Sequence, residues 1–293
     1  MKYFEVAHQL YHVQGFAKGK EHMYFSFTDT MVKTTMEGTI RCQVEVEGGH
    51  LGDCDYYDGK IYASYGAYPT NGEAVEWSDF EVWVFDEKDL HLIERIPLPK
   101  CREYIFDPDD VRGFRGVDGT TIAPDPVTGE PKIFTAALLK GEERFGSLVL
   151  QFDMDGNFER DHFIPVPNTN LGFQNLDYCR ETGEFWLTTY LADKPFQPEE
   201  SLFCLSGDLK TVKEKYCFYS GTGFEALPGG EFYGSIQLGL NGNRACVAYR
   251  GDRELIARHV RTGTKTEFER ALLMDITGDP LENDLYHGLR VGT

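Results

Sequence analysis

Apolar positions in this chain fall into short runs closed by turn residues. Typical runs are Met23-Tyr24-Phe25-Ser26-Phe27, Glu81-Val82-Trp83-Val84-Phe85, Leu148-Val149-Leu150-Gln151-Phe152 and Glu184-Phe185-Trp186-Leu187-Thr188. They are rich in aromatic and β-branched residues and too short for helices, so they predict strands. Segments such as Asp86-Glu87-Lys88-Asp89, Asp153-Met154-Asp155-Gly156-Asn157 and Ser206-Gly207-Asp208 read as the turns between them. Residues 267–273 are expected to make a short helical turn; no other window sustains apolar spacing at the helical period.

The runs recur as a unit. Five segments share a Gly or polar pair, a short strand, a tight turn and an aromatic-rich strand. They begin at Gln14-Gly15, Gly52-Asp53, Asp118-Gly119, Gln174-Asn175 and Thr222-Gly223. Two further strands follow in each, the last unit taking residues 245–249 and 255–260. Four antiparallel strands recurring every roughly 40 to 65 residues is the pattern of a β-propeller blade. The expected fold is therefore all-β, a single propeller domain over residues 1–293. A five-bladed ring is expected, closed with help from residues 3–10 and the tail after Thr264. The alternative is a six-bladed ring in which residues 265–293 and 1–12 share a blade.

The segment His50-Leu51-Gly52-Asp53-Cys54-Asp55-Tyr56-Tyr57-Asp58-Gly59-Lys60-Ile61-Tyr62 resembles, in blade pattern, the wide β-propeller superfamily that includes streptogramin lyases, gluconolactonase-like enzymes and NHL-repeat proteins. The resemblance covers most of the chain and implies the fold. It marks blades rather than chemistry, and the catalytic signatures of those families are absent, so it implies no activity.

Connection lengths distinguish the two faces. Turns within hairpins are short, with only residues 124–131 longer. Connections on the other face are long: 67–79, 97–116, 165–173 and 192–200. Long loops in a compact domain generally serve a function, and loops on a rigid scaffold carry most binding residues.

The first strand of each blade lines the channel, which places Gln14, Asp53, Asp118 or Thr120, Asn175 and Thr222 around its mouth, with His12, His50 and Gln174 just before. Carboxylates and amides converging on one cavity suit a hard cation or a polyhydroxylated ligand. Asp53, Asp118 and Asn175 are the candidate ligands of a calcium- or magnesium-like divalent ion, because carboxylates facing across a narrow channel repel unless something lies between them. His50, with Asp53 and Asp118, is a candidate for proton transfer. Gln14, Trp77, Tyr104, Gln174 and Asn175 are candidate substrate contacts, and Tyr68, Phe173 and Phe196 could stack on a ring or cover blade edges.

Charge narrows the field. The 293 residues carry 48 acidic against 29 basic side chains, a formal charge of −19, which argues against nucleic acid and anionic membranes as partners. On that background Arg112 and Arg115 are the candidates for holding an anionic group on a substrate, although Asp107, Asp109 and Asp110 lie close enough in sequence to pair with them. No run approaches the roughly 18 apolar residues of a membrane span. The first residues lack the apolar core of a signal peptide, so a cytoplasmic location is expected. The seven cysteines are scattered without a C-x-x-C pair and are expected to be reduced. Phosphate-loop and dinucleotide motifs are absent, so no nucleotide cofactor is expected. Together these features point to a hydrolase or lyase acting on a polar, sugar- or lactone-like small molecule at the channel mouth. The alternative is a non-catalytic propeller binding a glycan or a protein partner. The sequence does not define an oligomeric state.

Overall fold

The structure is a computed structural model; it describes residues 3–6, 13–36, 38–67, 79–104, 114–139, 145–167, 173–189 and 200–217. Beyond these it describes strands over 221–227, 231–237, 243–249, 255–261 and 268–274. The fold is an all-β propeller of four-stranded antiparallel blades.

After a first strand β1 (Tyr3–Val6), the first blade comprises β2 (Val13–Lys18), β3 (His22–Phe27), β4 (Thr30–Thr35) and β5 (Ile40–Glu45). The second holds β6 (Gly49–Tyr57), β7 (Lys60–Ala67), β8 (Phe80–Asp86) and β9 (Leu92–Pro97). The third holds β10 (Phe114–Pro124), β11 (Pro131–Leu139), β12 (Phe145–Phe152) and β13 (Phe158–Pro167). The fourth holds β14 (Phe173–Cys179), β15 (Glu184–Thr189), β16 (Glu200–Leu205) and β17 (Val212–Cys217). A short 3-10 helix, Pro99–Tyr104, follows β9.

A further four-stranded sheet holds β18 (Gly221–Leu227), β19 (Glu231–Gln237) and β20 (Asn243–Tyr249), with its outer position taken by the N-terminal strand β1 (Tyr3–Val6). Residues 255–260, expected as the fourth strand there, instead fall in β21 (Leu255–Arg261), which pairs with β22 (Phe268–Met274). The helical turn expected at 267–273 is therefore a strand. Its register with β21 pairs it residue by residue from Phe268 to Met274, and a single isolated helical turn is marginal by comparison. The innermost strands follow one another in space as β2, β6, β10, β14 and β18, with β18 also lying against β2.

Adjacent blades pack face to face, so their central strands are buried on both sides. On β8, Trp83 and Phe85 face the first blade's core while Val82 and Val84 face the third blade's. The period of two is retained, yet both sets are apolar, as in any sheet covered on both faces. Between the third and fourth blades Phe134 and Phe185 meet with ring centroids 5.1 Å apart. Toward the rim β5 becomes half-exposed and polar, as an outer strand should. Cys42, Cys54, Cys101, Cys179 and Cys204 are free thiols. Among the described residues no helix is long and apolar enough to cross a membrane.

The inner strands approach so closely that glycine is required where they touch. A Cβ on Gly15 would lie 2.5 Å from the Asp53 Cα, and one on Gly52 would lie 2.9 Å from the Asp118 Cα. Each of these strands is also bulged at this level, between Val13 and Gly15, Leu51 and Cys54, Val117 and Thr120, and Phe173 and Asn175. Opposite the bulges, on the second strand of each blade, stand Ser26, Ser64, Ala136 and Thr188. Ser26 donates to the Gly52 carbonyl of the next blade (2.5 Å) and Ser64 to the Asp118 carbonyl (2.6 Å). A small hydroxyl residue at the bulge thus ties one blade to the next.

Gly52→Ala should lower stability by on the order of 1–3 kcal/mol, because backbone cannot move aside for the new methyl. Ser64→Ala should cost about 1–3 kcal/mol through the lost donor to a buried carbonyl. Urea unfolding of the two variants checks both.

Candidate functional site

The bulges re-aim polar side chains of the inner strands toward neighbouring blades, since the extra residue turns the chain locally. Gln14 on β2 is buried, and its carboxamide bridges Thr28 and Gln174: Nε2 donates to Thr28 Oγ1 (3.1 Å), and Oε1 accepts from Gln174 Nε2 (2.9 Å). Its backbone carbonyl accepts from Asn175 Nδ2 (3.0 Å). Asp53 on β6 reaches past β10 to β14, where its Oδ2 accepts from the Leu176 N–H (2.9 Å). Gln14, Asp53, Gln174 and Asn175, four of the residues expected at the mouth, thus form one cluster joining the first, second and fourth blades.

Asp118 lies on β10 beside Gly52. Its residue is half-buried, but Oδ1 is enclosed and has no hydrogen-bond partner among the described residues. Burial alone pushes this carboxyl up to about 7. Asp53 is fully enclosed, and burial is again the main cause that pushes its carboxyl well above the usual range. The neighbouring Asp177 adds to the effect, while hydrogen bonds from Leu176, Asn175 and Cys54 act against it. Desolvation disfavours the charged form, so both groups hold protons at pH values where an exposed aspartate has lost them. Thr120 and Thr135, opposite each other on β10 and β11, are also buried, with hydroxyls lacking a hydrogen-bond partner among the described residues.

His50 is half-buried near the start of β6, opposite Gly66. Phe173, considered for ring stacking, is instead buried in the core between the third and fourth blades, where its large apolar surface is best satisfied. Tyr104 ends the 3-10 helix, Arg115 lies in β10 and Thr222 in β18, with their side chains outside the described set. His12, Tyr68, Trp77, Arg112 and Phe196 lie outside the described residues, as do Asp107, Asp109 and Asp110.

The donor set bears on the expected cation. Asn175 turns its nitrogen toward the Gln14 carbonyl (3.0 Å), while its Oδ1 accepts from Thr188 Oγ1 (2.9 Å). An amide arranged this way supplies N–H groups to the cluster, whereas a hard divalent ion requires oxygen. In this arrangement the Asn175 oxygen is turned to Thr188. Among the described residues, the one group of three acidic or imidazole side chains close enough to share an ion is Asp86, Asp89 and His91, on the turn after β8.

A second polar network was not anticipated. Asp55 Oδ2 accepts from Thr121 Oγ1 (2.8 Å), the Ile122 N–H (2.7 Å) and Arg180 Nη2 (3.0 Å). Arg180 also donates to the Ile122 carbonyl (3.0 Å) and lies over the Tyr57 ring. These contacts pin three blades together toward the short-turn end of the channel. The signal for it was the spacing Asp53-x-Asp55 and Asn175-x-Asp177, a repeated acid two positions along the inner strand.

No protein-family model and no curated protein sequence matches the chain. Solved structures match over most of it. An exo-β-1,3-galactanase from Phanerochaete chrysosporium, solved with β-1,3-galactotriose, is similar at TM-score 0.51 and 10% identity over 82% of this chain and 60% of that one. A glutaminyl cyclase from Myxococcus xanthus is similar at 0.49 and 10%, over 85% of this chain and 95% of that one. The Dos1 propeller is similar at 0.43 and 10%, over 92% of this chain, which spans 57% of that one. At these identities the likeness shows the propeller fold and nothing of activity.

Between 3.8 and about 7 the folded protein holds the Asp118 proton that the unfolded chain has released. Stability should therefore fall as pH rises through that window, by up to about 1.4 kcal/mol per pH unit for this one group. Asp118→Asn should remove that share of the slope. Urea midpoints measured from pH 4 to 8 on both proteins check it; identical slopes would refute the assignment.

Proposed function

We propose that this chain is a five-bladed propeller enzyme, a hydrolase or lyase that acts on a polar, sugar- or lactone-like small molecule at the channel mouth. The observation that carries this reading is the Asp118 carboxyl: its Oδ1 is enclosed, without a hydrogen-bond partner among the described residues, and burial pushes the group up to about 7. A proton donor works best when its pKa lies near the working pH, and perturbed carboxyls cluster at functional sites. In this reading Asp118 protonates the leaving or carbonyl oxygen of the substrate. Asp53 and Gln14 orient polar groups of the substrate, and His50 is the second proton-transfer group. Trp77 and Tyr104 supply ring contacts from the long loops, and Arg112 and Arg115 receive an anionic substituent. No step runs through a cation.

One observation favours the alternative, a non-catalytic propeller that binds a glycan or protein partner. Gln14, Gln174 and Asn175 hydrogen-bond to one another, as in a cluster whose task is to hold the ring.

The full chain should be assayed against chromogenic glycosides and aldonolactones across pH 5 to 9, before and after exhaustive chelation. Turnover is expected to decline above about pH 7, where Asp118 loses its proton, and to survive chelation. Asp118→Asn should lower kcat by about 10²–10⁴-fold with an intact fold. Absence of turnover on every substrate would leave the binding alternative, and loss on chelation would restore a divalent ion at Asp53 and Asp118.

A further inference from the structure

The last four-stranded sheet differs from the first four blades in the source of its outer strand. In those blades the fourth strand follows the third after a short connection, residues 36–39, 87–91, 153–157 and 206–211. Residues 250–254 separate β20 from β21 in the same way, yet the edge of β20 is held by β1. β1 is short: its register runs from Tyr3 opposite Cys246 to Val6 opposite Asn243, and among the described strands none pairs with Val247–Tyr249 on that side. β21 lies beside β20 but pairs with β22, in a sheet of two strands. A two-stranded ribbon is marginal by itself, and an edge with unpaired backbone groups accepts any strand of suitable register.

We propose that β1 and β21 are alternative outer strands of the last sheet, and that exchange between them is a conformational switch built into the fold. In the state described, β1 holds the edge and β21 is given to β22. In the other, β21 folds back on β20, β22 loses its partner, and β1 is released as an extended, largely apolar segment, Tyr3-Phe4-Glu5-Val6. The inner strands β2, β6, β10, β14 and β18 are common to both states. The short connection favours β21, because closing a loop over residues 250–254 costs less entropy than one spanning most of the chain. Pairing with β22 opposes it. The inference is independent of the enzyme reading, since no residue of the channel mouth takes part.

Cys246 reports both states. A thiol at position 3 would stand opposite it, at the roughly 4.5–5.5 Å Cα separation of an antiparallel pair, within disulfide range. For β21 the second and third blades, with connections of the same length, give two registers. Carried over from Trp83 opposite Arg95, the partner of Cys246 is Arg258; carried over from Val149 opposite His162, it is His259.

The test is oxidative crosslinking of the full chain, with bridges assigned by peptide mass mapping. Tyr3→Cys should bridge to Cys246 rapidly, and Arg258→Cys or His259→Cys should do so slowly. Leu272→Pro disrupts β22 opposite Ala257. It should speed the β21 bridge about tenfold and slow the β1 bridge, although β22 pairs with neither β1 nor β20. Phe4→Pro combined with Glu5→Pro should also speed the β21 bridge. Global unfolding would slow both bridges, so movement in opposite directions marks the exchange. A β21 bridge that rises in neither proline background, or a Tyr3→Cys bridge indifferent to Leu272→Pro, would overturn the proposal.

Discussion

Where one inner strand meets the next, backbone touches side chain with no room for a methyl group: Gly15 lies against Asp53, Gly52 against Asp118, and Gly119 against Asn175 and Leu176. That spacing determines the width of the channel. A narrow channel lets Asp53 contact β14 across it and lets Gln174 contact Gln14, so polar groups that a wider ring would leave in water are enclosed by other blades. Enclosure withdraws solvent from the Asp53 and Asp118 carboxyls and keeps protons on them. Ring closure and unusual acid chemistry therefore have a common cause, the close contact of bulged, glycine-bearing strands.

The seams between blades are not equivalent. Ser26 and Ser64 carry a hydroxyl across to the next inner strand, but the corresponding position in the third blade is Ala136, whose methyl packs by Gly119. The first seam is reinforced further out, where Tyr24 stacks on Tyr56 (5.9 Å) and the Lys33 ammonium donates to the Glu87 and Lys88 carbonyls. The second and third seams share the Asp55 and Arg180 network. Hydrogen bonds at a buried seam specify how blades meet, because each unmatched partner would be left dry. The apolar cores beside them supply most of the driving force.

Strand positions were legible because turn residues punctuate the chain and the unit repeats, which located the inner strands of the first four blades to within a few residues. Two things were not. Residues 3–10 were expected to help close the ring, but not that Tyr3–Val6 would take the outer edge of the last four-stranded sheet in place of 255–260. Local pattern cannot choose between two apolar strands competing for one edge. In the channel, Gln14, Asp53, Asp118 and Asn175 were identified by residue type and offset. Whether each presents a donor or an acceptor depends on partners more than a hundred residues away, such as Leu176 for Asp53. Thr188 escaped notice for the same reason: within its own strand it is one more β-branched residue.

The pairing of Tyr3 with Cys246 places the first strand of the chain beside one of the last. During synthesis β1 emerges with no partner and must wait until β20 has left the ribosome, while the first four blades can each form from a contiguous segment as it appears. Contacts between distant parts of a chain carry the largest loop-closure cost and form late. The final sheet is thus the step that joins separately formed blades into a ring, and until it forms both β1 and the open edge of β20 are available for mispairing.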